Sequence, residues 1–75
     1  MDNHELDHLR LAYKAAVDRW IEAIREQEDL ATSDHSEVAV EIWDQAGFRE
    51  EEARESVKGA REEYRDALRK VLYNF

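Results

Sequence analysis

Small and apolar residues recur along the first part of the chain at Leu6, Leu9, Tyr13, Ala16, Trp20, Ala23 and Leu30, interrupted only by Gln27. Their spacing alternates between three and four, which gathers them on one face of an α-helix and scatters them in a strand. A second row, Ala12, Val17, Ile21 and Ile24, makes this face wider than the seam of a two-stranded coiled coil. The helix is therefore expected to meet two neighbours. No proline interrupts the pattern anywhere in the chain.

The segment TSDHS, residues 32–36, is the only mid-chain cluster of turn and cap residues. Asp34 with Glu37 has the spacing of a capping box, Ser33 is a competing cap, and Asp2 with Glu5 repeats the spacing at the start. Beyond the turn, Ala39, Ile42, Trp43 and Ala46 form a short apolar stripe with Val38 beside it, and then the pattern stumbles. The next periodic apolar residue is Ala53, with Gly47, Phe48, Arg49 and the glutamates 50–52 between. Gly47 as a left-handed terminator would let Phe48 fold back on Trp43, and the glutamates would occupy the first turn of a new helix. A final stripe follows through Ala53, Val57, Ala60, Tyr64, Ala67, Leu68, Val71, Leu72 and Phe75.

These signals predict a single all-α domain over 1–75, a small three-helix unit of long, short and long helices at about 3–31, 35–46 and 49–74. It is expected to dimerise into a larger bundle. The alternative is a two-helix antiparallel hairpin whose long second helix overhangs the first and needs a partner chain.

Composition narrows the function. The chain has no cysteine, so disulfides and thiolate metal sites are excluded. Nineteen acids against eleven bases give a formal charge of −8, which disfavours nucleic acid as a partner. Residues 32–48 contain four acids and no base, whereas residues 49–75 carry seven of each. Neither a signal peptide nor a membrane span is visible, and a cytoplasmic location is expected.

Candidate chemistry is sparse. Glu5 and His8, three apart on a helix, could ligate one metal from the same face, and a symmetric dimer would supply a second pair. Asp34, His35 and Ser36 are the residue types of a hydrolytic triad, but their contiguity prevents convergence on a substrate, and a serine there is a cap. A serine heading the second helix of a small acidic protein invites comparison with acyl carrier proteins. His35 before Ser36 and Glu37 after it depart from the carrier pattern, so no family is assigned. Arg54, Lys58, Arg61, Arg65 and Arg69 form a basic ridge that could track phosphates, although Asp18, Glu22, Glu26 and Asp29 on the first helix offer neutralisation within or between subunits.

The reading is a non-enzymatic, acidic helical interaction or accessory protein that self-associates and uses no cofactor. Trp20, Trp43, Tyr73 and Phe75 are its expected self-association residues, and Glu37, Glu41 and Asp44 its surface for a basic partner. The alternatives are a dimeric carboxylate–histidine metal bundle on Glu5 and His8, or ligand or nucleic-acid binding through the basic ridge.

Overall fold

The computed structural model describes residues 3–31, 33 and 35–73. Two helices account for almost all of them: α1, Asn3–Leu30, of 28 residues, and α2, Glu37–Tyr73, of 37 residues. The expected three-helix unit is not formed, because α2 runs without a break through Gly47 and residues 48–53. The molecule is the two-helix hairpin with a long second helix.

One polar residue explains the correction. Ala46, Glu50, Ala53, Val57, Ala60, Tyr64 and Ala67 hold the three-and-four spacing without interruption once Glu50 is counted as a seam residue. Its side chain is only 15% exposed. The Trp20 indole Nε1 donates to Glu50 Oε1 at 3.0 Å, and Arg54 lies one turn on at 4.0 Å. A carboxylate so partnered can sit on the packing face without an unsatisfied polar atom. Gly47 stays in right-handed helical geometry, and a Cβ there would come within 3.3 Å of Gln27 Nε2. Its role is close approach to α1. With no helix end at that point, the proposed fold-back of Phe48 does not arise, and Phe48 is 66% exposed.

The N-terminus of α2 is also set differently from the sequence expectation. Ser36, not Ser33, caps the helix: the Ala39 amide donates to Ser36 Oγ at 3.2 Å, and the Val40 amide donates to the Ser36 carbonyl at 3.1 Å. Asp2, Asp34 and Phe75 lie outside the described residues.

The helices meet through alanine. Ala46, Ala53, Ala60 and Ala67 recur every seven residues along α2, and Ala16 and Ala23 do so on α1. Among the described residues Ala16, Ala23, Ala46, Val57 and Ala67 are the buried hydrophobic ones, and no large side chain is fully enclosed. Small seam residues bring two helix backbones close but leave the larger side chains on the flanks. The Tyr13 and Tyr64 rings meet across the seam in a tilted arrangement with centroids 6.4 Å apart.

Cross-helix contacts fix the register: Tyr13 with Tyr64, Glu26 with Arg49 and Trp20 with Glu50, with the Gln27 side chain beside Gly47. On that register Leu30 ends near Gln45, and residues 37–44 project past the end of α1. Principal dimensions of 56 × 17 × 12 Å describe a flat rod one helix thick, its length set by α2 alone.

Candidate interaction surface

The two long edges of the hairpin differ. On one, the residues just before the seam positions face each other, and the Arg49 guanidinium donates to the Glu26 carboxylate across the helices. On the other lie the residues just after the seam positions: Val17 and Ile24 from α1, and Gly47, Arg54, Arg61 and Leu68 from α2. Ile21, 39% exposed, flanks Val17 and Ile24. This second edge carries Val17, Ile21 and Ile24 of the wider apolar row on α1, and α2 covers them only in part: Val17 and Ile24 are half-buried and Ile21 is exposed.

Along α2 the open edge is lined by one ridge at three-and-four spacing: Glu37, Val40, Asp44, Gly47, Glu51, Arg54, Lys58, Arg61, Arg65, Leu68 and Leu72. Every acid precedes every base. Shallow grooves follow the same division. His35, Glu37, Val40, Glu41 and Asp44 border one near the interhelical turn. At the far end, Tyr13, Tyr64, Arg61, Arg65, Arg69 and Leu72 border another of about 360 Å³. That volume is at the low end for ligand pockets, but its walls include Leu72 at 70% and Tyr73 at 65% exposure. It is an open groove between side chains, not an enclosed site.

The basic ridge is not neutralised by α1. Among the described residues, Arg54 pairs with Glu50 of its own helix and Lys58 with Glu55, while Arg61, Arg65 and Arg69 have no carboxylate within ion-pair distance. Nor do Glu37, Glu41 and Asp44 have a cation within that distance. The within-subunit pairing anticipated for Asp18, Glu22, Glu26 and Asp29 reduces to Glu26, whose partner Arg49 lies off the ridge.

The other candidates are dispersed. Glu5 and His8 lie exposed in the first turns of α1, and the described residues contain no group of three His, Asp or Glu side chains able to hold a metal ion. Ser36 acts as the helix cap, and His35 beside it is exposed. Trp20 is half-buried with its indole directed to Glu50, so it belongs to the hairpin's own seam. Trp43 is 41% exposed, on the projecting turns of α2. Among the described residues no helix is long and apolar enough to cross a membrane.

No family model matches the chain. Neither a curated protein nor a solved structure matches it.

Proposed function

We propose that the hairpin is half of a structural unit, a non-enzymatic helical module that associates with a second copy of itself through the open edge. The observation that carries this reading is the missing core. The chain exposes 6041 Å², whereas a globular monomer of its mass, 8.9 kDa, would expose about 4,800 Å². The surplus, about 1,200 Å², exceeds the roughly 800 Å² per partner that a standard stable interface buries. Folding domains need a second packed layer to cover their apolar faces, and a flat pair of helices has none. Val17, Ile21, Ile24, Leu68 and Leu72 supply the apolar part of the open edge. A four-helix dimer would give them the enclosure that alanine seams alone do not.

Sedimentation equilibrium of the full chain tests this directly. A species of twice the chain mass is expected at micromolar concentrations. Ile21→Glu, which changes a side chain already partly in water within one hairpin, should raise the dissociation constant at least about tenfold, or about 1.4 kcal/mol. A folded species of single-chain mass at several hundred micromolar would overturn the proposal.

A further inference from the structure

The open edge also specifies which way round the second copy lies. We infer that two hairpins pair antiparallel through their α2 helices, about a two-fold axis near Glu52 and Ala53, so that the acidic half of each ridge meets the basic half of the other. This rests on the self-association reading and adds orientation and register to it.

An antiparallel pair about a two-fold has one constraint: facing residues lie equally far from the axis on opposite sides, and every contact occurs twice. The central turns of the ridge satisfy it. Counting outward from the axis, Glu51 falls opposite Arg54 of the second copy and Asp44 opposite Arg61; further out Arg65 falls opposite Val40, one residue from Glu41, and Glu37 opposite Leu68, one residue from Arg69. Gly47 falls opposite Lys58, where a missing side chain leaves room for the lysine stem. The unpaired state of Arg61, Arg65 and Arg69, and of Glu37, Glu41 and Asp44, within one hairpin then has a common cause: each set is the other's partner between copies.

The charge of the whole hairpin points the same way. The half of the hairpin nearest the turn, residues 18–53, holds twelve acids and three bases, whereas the rest of the chain holds seven acids and eight bases. Each hairpin is thus strongly negative at one end and close to neutral, slightly positive, at the other. Pairing with the turns at the same end would place the two negative halves side by side and set Asp44 against Asp44 and Arg61 against Arg61. Complementary potentials fix orientation and register by suppressing such arrangements. Geometry agrees, because the ridge lies about a quarter-turn around α2 from the alanine seam. A helix in a four-helix bundle meets its two neighbours in just such directions.

The absence of cysteine permits a clean measurement. With Val38→Cys spin-labelled in the otherwise wild-type chain, the antiparallel dimer should give an inter-label distance of about 45 Å, from some fifteen residues on either side of the axis at 1.5 Å each. In parallel, D44R and R61E should each raise the dissociation constant at least about tenfold, and D44R/R61E together should restore it to within about threefold of wild type. A dimer with labels closer than about 25 Å, or reversals that weaken nothing or fail to rescue, would overturn the orientation while leaving self-association standing. A chain that stays monomeric would remove both. Capture of a poly-glutamate peptide by such a monomer, lost in R61E, would assign the ridge to an acidic partner instead.

Discussion

Glu50 decides the architecture more than any other side chain. As a surface residue it breaks the apolar period of α2; as a seam residue bonded to the Trp20 indole it continues it. The two alternatives cannot be told apart from residue type, since a glutamate in the stretch EEE resembles solvated charge until its partner across the seam is known. Gly47 was ambiguous for the same reason, because glycine both ends helices and permits close approach. Its conformation makes a prediction of opposite sign for the two cases. In the continuous helix, Gly47→Ala gains helix propensity and needs only the flexible end of Gln27, 3.3 Å from the new Cβ, to give way. It should stabilise the protein by about 0.5 kcal/mol in urea unfolding. A left-handed terminator would instead lose about 1 kcal/mol or more. Gly59→Ala, with nothing within 4 Å of its added methyl, serves as the internal standard.

At the scale of the helices, the all-α class and the separation of α1 from α2 between Leu30 and Glu37 were legible because spacing of three and four over many turns admits no other regular structure. Less legible was the use of alanine. Ala46, Ala53, Ala60 and Ala67 read as ordinary members of an apolar stripe, yet Ala46 at 1% exposure is among the least accessible residues of the molecule. Their size sets the distance between helices, so larger residues there should separate them. Ala46→Leu is expected to destabilise by about 1–3 kcal/mol, as overpacked cores do, in the same unfolding assay; a neutral or stabilising result would show that α1 and α2 do not approach closely at that turn. The acidic cluster and the basic ridge were each visible in the sequence, but their relation was not. With a break at Gly47 they would lie on separate helices of unrelated orientation. Continuity of α2 is what puts Glu37, Asp44, Arg61 and Arg65 in one line.

For the whole molecule, a rod of 56 × 17 × 12 Å with alanine at its centre has little interior. Isolated helices are only marginally stable in water, and most helical stability comes from packing an apolar face. The hairpin's face is the open edge, so folding and association should be one event. For such a protein stability cannot be separated from protomer concentration. The thermal midpoint followed by circular dichroism at 222 nm, from 5 μM to 500 μM chain, therefore tests the central claim most directly. The account predicts a midpoint that rises by several degrees for each tenfold increase in concentration, with helicity falling on dilution. A midpoint unchanged across that range, with full helicity at the lowest concentration, would contradict it.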